Sequence, residues 1–282
     1  MLTRKGGYLY PRTSGAPGAS RQLERDGWAV LPGVLSPADI AELRDAVETV
    51  YACVPVDRRN PGLPVAEAED FRYEMLNRSA VAQRAVAHPA ILDVIEPLLG
   101  EDCHVIANTC WRNPPRPANQ HGGGMWHIDA GPHIPRDPSI PWDDRIPYPV
   151  FALGVHLYLQ DCPAACGPTG VIPGSHRSGQ PPPSDRLQDP DLAFAGRGAV
   201  VLEARAGDAA LFVSDVWHRR MPTGPGDSGR LFLQIHYGRR DLAQRLRTTA
   251  DSNPLAAETI ARATTDRART IIGLHRPFFY DG

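Results

Sequence analysis

Short runs in which hydrophobic and polar residues alternate dominate the chain from residue 103 to about residue 240. Glycine and proline break these runs, which read CHVIANTCW, MWHID, VFALGVHLYLQ, GVIPGSH, GAVVLEARAGDAALFVSDVWH and RLFLQIHYG. Alternation is typical of a strand that buries one face, and no helical pattern separates one run from the next. The pattern therefore predicts an antiparallel β-sandwich or barrel.

The first hundred residues follow a different pattern, with hydrophobic residues at helical spacing. Residues 27–35 predict a short buried strand. The next residues predict a helix that Ser36 caps, with Pro37 at its first position and Asp39 in its first turn. Residues 79–100 predict a helical pair that is interrupted at Pro89 and ends at Gly100.

Together these patterns predict a mainly β fold with flanking helices in a single domain. Residues 1–20, rich in glycine, proline and serine, predict an extended arm. Within the domain of residues 21–282 we expect a helical part over 21–100 and a β-sandwich core over about 103–240. We expect a tail over 241–282, with a short helix and an aromatic end, HRPFFYDG.

Composition narrows the classes of function. The chain has 282 residues, of which 42% are hydrophobic and 22% charged, enough for one sizeable core. A net charge of −2 argues against binding to nucleic acid or to an anionic membrane. No signal peptide and no apolar run of membrane-spanning length are visible, and the five cysteines are scattered. We therefore expect reduced thiols and a cytoplasmic location.

The stretch GGGMWHIDAGPH supplies two candidate metal ligands, His127 and Asp129. A non-haem Fe(II) site needs two imidazoles and one carboxylate, with positions left open for other ligands. Alternate residues of a strand share a face, so both side chains can point inward from one strand end. His218, predicted at the end of a single strand over residues 208–218, offers the second imidazole.

The following run, RLFLQIHYG, adds a buried cation. Its alternation puts Arg230, Phe232, Gln234 and His236 on one face and the aliphatic residues on the other. An arginine facing a core requires an anionic partner, because an unpaired buried charge costs too much free energy. A carboxylate fits, since a guanidinium holds it with two parallel hydrogen bonds. Each residue alone is more often structural; the order His-x-Asp, distant His, then Arg is what favours a metal site.

These residues lie in segments that resemble the phytanoyl-CoA dioxygenase family of Fe(II)/2-oxoglutarate oxygenases. The matching pieces are DGWAVLPGVLSPADIAELRDAV, WHIDAG, GPTGVIPGSHRSG and DVWHRRMPTGPGDSGR, in the family's order over about residues 24–240. The resemblance implies the double-stranded β-helix, a cupin-like jelly-roll. It also implies Fe(II), 2-oxoglutarate and O2 as cofactor and cosubstrates.

The resemblance also implies roles for individual residues. His127, Asp129 and His218 would bind iron, and Arg230 would hold the distal carboxylate of 2-oxoglutarate. His156, on the run VFALGVHLYLQ, falls where the family has another cosubstrate contact. Thr109 matches a further such position less closely, with Asn108 and Trp111 as neighbouring alternatives. Many members carry a small or hydroxyl residue two positions after the distal histidine; this chain has Arg220, so that role is not carried over.

The implied activity is oxidation of an aliphatic C–H bond of a small metabolite, with release of succinate and CO2. Desaturation or cyclisation remains an alternative, as does a jelly-roll that binds a small ligand without catalysis. Asp129 argues against a halogenase, in which a small residue replaces the carboxylate. The fragments HGGG (121–124) and GDSG (226–229) resemble hydrolase loops, but no G-x-S-x-G nucleophile elbow accompanies them, and turns are the better interpretation.

Substrate identity and oligomeric state are not predicted. Residues 134–147, rich in proline and aromatic residues, form a candidate substrate-covering loop, with Trp142, Tyr148 and Trp111 as flat contact surfaces. A solvated loop is the alternative. The few basic residues there favour a small polar or polycyclic metabolite over a coenzyme A thioester, and a step in bacterial natural-product biosynthesis is the working hypothesis.

Overall fold

The computed structural model describes residues 17–54, 71–116, 118, 120–129, 131–243 and 255–275, and the backbone of two further strands. Those strands, β1 (Thr3–Lys5) and β2 (Tyr8–Tyr10), pair antiparallel. Helix α1 (Gly18–Asp26) begins inside the predicted arm of residues 1–20, so that prediction is too long at its end. Ser20 is buried and its hydroxyl donates to the carbonyl of Val94 at 2.7 Å, which anchors α1.

Helix α2 (Pro37–Cys53) begins as predicted. The Ser36 hydroxyl accepts from the backbone N–H of Asp39, and the Asp39 carboxylate accepts from the backbone N–H of Ser36. The predicted helical pair is also confirmed, and its members end before Val86 and Gly100. The remaining helices are α3 (Met75–Arg78), α4 (Ala80–Ala85), α5 (Pro89–Leu99), α6 (Ala257–Arg262) and α7 (Asp266–Ile271).

Six antiparallel strands form the larger sheet, in the spatial order β3-β9-β6-β11-β5-β4. Strand β11 lies near its centre, between β6 and β5, and makes long pairings with both. The strands are β3 (Trp28–Leu31), β4 (Phe71–Tyr73), β5 (His104–Asn113), β6 (Ala152–Tyr158), β9 (Ala209–Val213) and β11 (Arg230–Gly238).

A smaller sheet of three strands faces the larger one. Its order is β10-β7-β8, with β7 (Thr169–Val171) paired antiparallel to both β8 (Val200–Val201) and β10 (His218–Arg220). Two facing antiparallel sheets with helices on one outer side make the jelly-roll that the strand pattern and the resemblance predict, so the predicted fold class is confirmed.

The alternation along β11 separates two hydrophobic cores. Its odd-numbered aliphatic and aromatic residues from Leu231 to Tyr237 pack in the core that includes α2 and α5. Phe232 points the other way and packs between the sheets with Tyr158 and Phe212. Strand β6 divides in the same manner, with Leu153, Val155 and Leu157 in the helix-side core. The predicted facing of Arg230, Gln234 and His236 toward the space between the sheets follows from this register.

The single strand predicted over residues 208–218 is wrong. Strand β9 ends at Val213, a turn follows, and β10 begins at His218 in the other sheet. The N–H of Ser214 donates to the carbonyl of Ala152 at 3.0 Å, and the N–H of Val216 donates back to Val213 at 2.9 Å. The chain therefore crosses from the larger to the smaller sheet at this turn, and His218 enters the site from the smaller sheet.

The C-terminal prediction is confirmed in part. Two short helices, α6 and α7, replace the single predicted one, and Gln83 on α4 donates to the carbonyl of Thr259 on α6 at 2.9 Å. Residues 276–282, most of the predicted aromatic end, lie outside the described residues, as do residues 55–70. Within the described part of the chain, the longest helices are too short or too polar to cross a membrane.

Candidate metal centre

His127 and His218 face each other across a two-residue antiparallel bridge. The N–H of His127 donates to the carbonyl of His218 at 2.9 Å, and the N–H of His218 donates back at 3.0 Å. Their imidazole centroids are 4.3 Å apart. His127 is therefore placed by this bridge to β10 and does not belong to a regular strand, which corrects the prediction that it shares a strand end with Asp129.

Asp129 is held two residues further on, where its N–H donates to the carbonyl of Ser214 at 3.1 Å. Its Oδ1 lies 3.4 Å from Nε2 of His218 and 3.9 Å from Nε2 of His127. One candidate ligand atom from each of the three side chains lies within 4.8 Å of the others. The structure thus brings together the three residues predicted to bind iron.

Hydrogen bonds on the far side of each imidazole fix its tautomer. Nδ1 of His127 is 2.8 Å from the carbonyl oxygen of Met125, and Nδ1 of His218 is 2.9 Å from that of Val216. A carbonyl oxygen only accepts, so each neutral ring carries its proton on Nδ1. Nε2 then has a free lone pair facing Asp129, which is the arrangement of histidine ligands in metalloproteins.

Charges within the site act on one another. Burial alone would raise the pKa of Asp129, but the imidazoles of His218 and His236 outweigh it and lower that pKa well below its usual range. Burial would lower the pKa of His218, and the Asp129 carboxylate reverses this and raises it. Burial, assisted by His218, lowers the pKa of His127. Asp129 is thus ionised at neutral pH and attracts a cation.

The donor set fits a ferrous ion. Two imidazole nitrogens and one carboxylate are the ligands of non-haem Fe(II) oxygenases, which keep further coordination positions open. The Asp129 carboxylate is not satisfied within the protein, because its Oδ2 is buried and has no hydrogen-bond partner among the described residues. The side chain of His127 is 52% exposed, so the site opens toward solvent on that side.

Arg230 begins β11 and is buried between the sheets. Its Nε and Nη2 donate to the side-chain oxygen of Asn113 at 3.0 and 2.8 Å, and Nη1 donates to the carbonyl of Gly167 at 2.9 Å. Its guanidinium carbon lies 5.3 Å from the centre of the Phe232 ring. These contacts hold the planar cation in one orientation at the opposite end of β11 from His236.

His156 lies on β6, paired in register with Gln234, and is buried. Its Nδ1 is 3.2 Å from the Thr169 hydroxyl, and its ring centre is 4.5 Å from that of Phe232. Burial and the charge of Arg230 lower the pKa of His156 well below its usual value, so the ring is neutral. Nε2 is buried without a hydrogen-bond partner among the described residues and is available to a ligand.

Thr109 on β5 lies opposite Gln234 on β11. Its hydroxyl donates to Oε1 of Gln234 at 3.1 Å, and Trp111 Nε1 is 3.1 Å from the same hydroxyl. The side chain of Asn108 donates to the backbone carbonyl of Gln234 at 3.0 Å. Thr109 and its two alternatives, Asn108 and Trp111, are therefore hydrogen-bonded to Gln234 or to one another.

Two features of the site were not given a role from the sequence. Asn113, which orients Arg230, ends β5 in register with the arginine, and only the strand pairing reveals it. His236 was placed on the inner face by alternation, and its Nδ1 lies 3.7 Å from Oδ2 of Asp129. Arg220, the departure from the family pattern, ends β10 in register with Thr169.

The hydrolase-like fragments lie in irregular loops of the structure. In residues 121–124, the N–H of Gly123 donates to Nδ1 of His121 at 2.9 Å, so the histidine caps its own loop. In residues 226–229, Asp227 accepts from the N–H of Gly229 at 2.8 Å, and the hydroxyl of Ser228 lies 3.2 Å from the Cys166 thiol. Among the described residues the Ser228 hydroxyl has no hydrogen bond to a histidine or lysine base, so residues 226–229 do not hold an activated serine nucleophile.

The segment between Asp129 and β6 leaves from the metal site and returns beside it. His133 anchors its start, with its N–H 3.1 Å from Oδ2 and its Nδ1 2.5 Å from Oδ1 of Asp215. Trp142 and Arg136 line a cavity of about 650 Å³ on the outer side of the smaller sheet, with Trp217. Tyr148 is buried, so it does not offer the exposed contact surface predicted for it.

Sequence comparison agrees with this site. The family model described as phytanoyl-CoA dioxygenase (PhyH) matches residues 23–222, from α1 through the end of β10. The chain belongs to the phytanoyl-CoA dioxygenase family. The match includes His127, Asp129 and His218 and stops short of Arg230. The predicted class, a 2-oxoglutarate-dependent oxygenase of the PhyH family, is thereby confirmed.

Several solved structures share the PhyH fold. The non-haem α-ketoglutarate-dependent carbocyclase SnoK from nogalamycin biosynthesis is 20% identical, with a TM-score of 0.61 over 83% of this chain and 88% of SnoK. EctD from S. alaskensis, solved with bound Fe, is 21% identical, with a TM-score of 0.61 over 80% and 78%. HygX from Streptomyces hygroscopicus, solved with nickel and 2-oxoglutarate, is 17% identical, with a TM-score of 0.58 over 80% and 88%. No curated protein matches the sequence significantly.

Proposed function

We propose that this PhyH-family protein is an Fe(II)- and 2-oxoglutarate-dependent oxygenase that oxidises a C–H bond of a small molecule. The observation that carries the proposal is the convergence of Nε2 of His127, Nε2 of His218 and Oδ1 of Asp129, with their ligand atoms within 4.8 Å. The backbone bridge between the two histidines and the Nδ1 hydrogen bonds prepare both rings for a metal before it binds.

In this proposal His127, Asp129 and His218 would hold the iron, and coordination positions would remain for the cosubstrates. When bound, the iron supplies oxidation of the substrate by O2, coupled to conversion of 2-oxoglutarate into succinate and CO2. The protein binds the diacid, excludes water and orients the target C–H bond. A side-chain general base is not required for this chemistry.

Arg230 is proposed to receive the distal carboxylate of 2-oxoglutarate. Asn113 and Gly167 hold its guanidinium in place, so little side-chain entropy remains to be lost when the anion binds. His156 offers an unpartnered Nε2 along the way from the arginine to the metal. The Thr109 hydroxyl, which donates to Gln234, is proposed as a further contact of the cosubstrate.

The substrate is proposed to be a small metabolite bound under the segment of residues 134–147. Asp215 fixes the start of this segment and directly follows Ser214, whose carbonyl accepts from the N–H of Asp129. SnoK is a carbocyclase from nogalamycin biosynthesis, which supports a natural-product substrate and leaves hydroxylation and cyclisation as alternative outcomes. Five unpaired cysteines support the expected cytoplasmic location.

Anaerobic titration tests the proposal directly. Purified protein is loaded with Fe(II) and then with 2-oxoglutarate, and a weak visible charge-transfer band is expected to appear only when both are present. The His218→Ala variant should show no band. Absence of a band in the wild type would contradict an oxygenase and would favour a jelly-roll that binds a ligand without catalysis.

Substrate search follows from the loaded enzyme. With O2 and a metabolite extract, we expect products heavier by one oxygen or, for cyclisation or desaturation, lighter by two hydrogens. A variant in which a glycine-serine linker replaces residues 134–147 should still bind iron and 2-oxoglutarate but lose these products. Unchanged products in that variant would remove the segment from substrate binding.

A further inference from the structure

A third imidazole stands beside the Asp129 carboxylate. His236, near the end of β11, places Nδ1 3.7 Å from Oδ2, the carboxylate oxygen that does not approach His127 and His218. His236 is not part of the three-residue group of candidate ligands. Its position raises the question of which ring nitrogen carries the proton, because a lone pair and an N–H would act on the metal site in opposite ways.

Trp111 settles the orientation of the next side chain in line, Gln234. An indole N–H can only donate, and Nε1 of Trp111 lies 2.5 Å from Oε1 of Gln234. The Thr109 hydroxyl donates to the same oxygen at 3.1 Å. The carboxamide oxygen of Gln234 therefore faces Trp111 and Thr109, and its amino group must face the other way.

The amino group of Gln234 then fixes the tautomer of His236. Nε2 of Gln234 lies 2.8 Å from Nε2 of His236, and an amide nitrogen can only donate. Nε2 of the neutral imidazole is consequently the acceptor, and the ring proton sits on Nδ1. Two nitrogens that can only donate, Nε1 of Trp111 and Nε2 of Gln234, thus fix the chain of hydrogen bonds so that Nδ1–H of His236 faces the Asp129 carboxylate.

We propose that His236 is a positioning residue for Asp129, set by the hydrogen-bond chain Trp111–Gln234–His236. The Nδ1–H takes the second carboxylate oxygen and keeps Asp129 a one-oxygen ligand. A protonated Nδ1 has no lone pair to offer, so His236 is also prevented from becoming a fourth protein ligand. A coordination position that a fourth imidazole would occupy stays open for a cosubstrate.

This inference rests on the proposed function, because it concerns how a ligand of the iron is held. It requires the carboxylate to approach the ring when the metal binds. From 3.7 Å, an ordinary N–H···O bond is reached by a shortening of about 0.8 Å. Partners of this kind behind a ligand typically change metal affinity about 10–100-fold.

Co(II) binding to the full-length protein, measured by calorimetry and by the visible absorption spectrum of the bound ion, tests the inference. His236→Ala should weaken Co(II) binding about 10–100-fold and change the spectrum, because Asp129 loses the partner of its second oxygen. His236→Asn is the matched variant, since its amide N–H can take the place of Nδ1–H. It should recover most of the affinity.

Gln234→Leu gives a second, independent test. Leucine introduces no charge and cannot donate to Nε2 of His236, so the ring proton is no longer fixed on Nδ1 and Nδ1 can present a lone pair to the metal site. The Co(II) spectrum of this variant should therefore differ from that of the wild type. The wild-type spectrum in Gln234→Leu would overturn the proposed direction of the chain, also where His236→Ala does not fold.

The outcomes separate this inference from the proposed function. If the wild type and His236→Ala bind Co(II) with equal affinity and identical spectra, the positioning role is overturned and the three-ligand site stands. If the wild type binds no Co(II) at all, the site itself is not a metal centre, and both proposals fail.

Discussion

His127 and His218 exchange two backbone hydrogen bonds, at 2.9 and 3.0 Å, so the two imidazoles stand side by side with their centroids 4.3 Å apart. A bridge of this kind sets the separation of the side chains through the backbone, without a contribution from a bound ion. The two candidate ligands that lie farthest apart in the sequence are thus the pair whose relative position is best defined.

Removing His218 should therefore abolish iron binding while the fold remains. His218→Ala keeps the backbone bridge but leaves only one imidazole and one carboxylate. Loss of a group that merely hydrogen-bonds to a metal ligand can weaken metal binding roughly 100-fold, so we expect loss of a ligand itself to weaken iron binding by at least that factor. Calorimetry under anaerobic conditions measures it. His88→Asn is the control, because His88 caps α5 far from the site and asparagine can keep that cap. Equal loss in both variants would contradict the assignment.

Arg230→Ala should separate cosubstrate binding from metal binding. A hydrogen bond to a charged group contributes about 1.5–3 kcal/mol, so we expect the KM for 2-oxoglutarate to rise about 10–100-fold while iron still binds. Succinate formation at varied 2-oxoglutarate concentration measures the change. Arg84→Ala, which removes an exposed arginine paired with Glu42, is the control. An unchanged KM in Arg230→Ala would take the arginine out of this role.

The inner face of β11 could be predicted from the sequence, because inward-facing and outward-facing residues alternate strictly along this strand. Burying one face of a strand leaves only one register, and this placed Arg230, Gln234 and His236 together before any coordinates. The capping box at Ser36 was accessible for a similar reason, since its hydrogen bonds are local. Features of this kind depend on neighbours within a few residues.

The turn between β9 and β10 could not be predicted from the sequence, because hydrogen bonds to distant segments of the chain form it. Residues 208–218 contain no glycine or proline that would mark a turn, yet Ser214 bonds to Ala152, and the buried Asp215 carboxylate accepts from His133. The partner of Arg230 escaped for the same reason, since Asn113 is 117 residues away. Pairing between distant segments decides such features, and alternation within one segment does not report it.

Gly154 should tolerate no side chain. A methyl group there would lie 2.5 Å from the Phe212 ring, whose centre is 4.7 Å from that of His218. Gly154→Ala should therefore destabilise the fold by about 1–3 kcal/mol and weaken iron binding by displacing His218. Denaturant unfolding and calorimetry measure the two effects. Gly198→Ala is the control, since no atom lies within 4 Å of its added methyl and the change should stay within about 0.5 kcal/mol.

His176 should make stability depend on pH. Its Nε2 donates to the carbonyl of Glu24 at 2.9 Å, and the buried Nδ1 has no partner among the described residues. Burial lowers the pKa of His176 to about 4, below the roughly 6.5 of the unfolded chain. Protonation then favours the unfolded state, so this contribution to stability is complete above pH 6.5 and falls as the pH drops toward 4.

The His176→Gln variant isolates this effect. Glutamine can still donate to Glu24 but does not titrate, so the wild type should lose on the order of 1 kcal/mol more than the variant between pH 7.5 and 5.5. Urea unfolding at both pH values measures the free energies. A difference between the two proteins that is the same at both pH values would contradict the assignment.

The ligands of the proposed iron come from the smaller sheet and its bridge, whereas the guanidinium of Arg230 comes from the larger sheet. Phe212, Phe232 and Tyr158 fill the space between them and fix how far apart the sheets stand. On the proposed function, we expect the distance between the metal ligands and the Arg230 guanidinium to select the length of the cosubstrate. A keto-diacid one carbon shorter or longer could chelate the metal or reach the arginine, but not both at once.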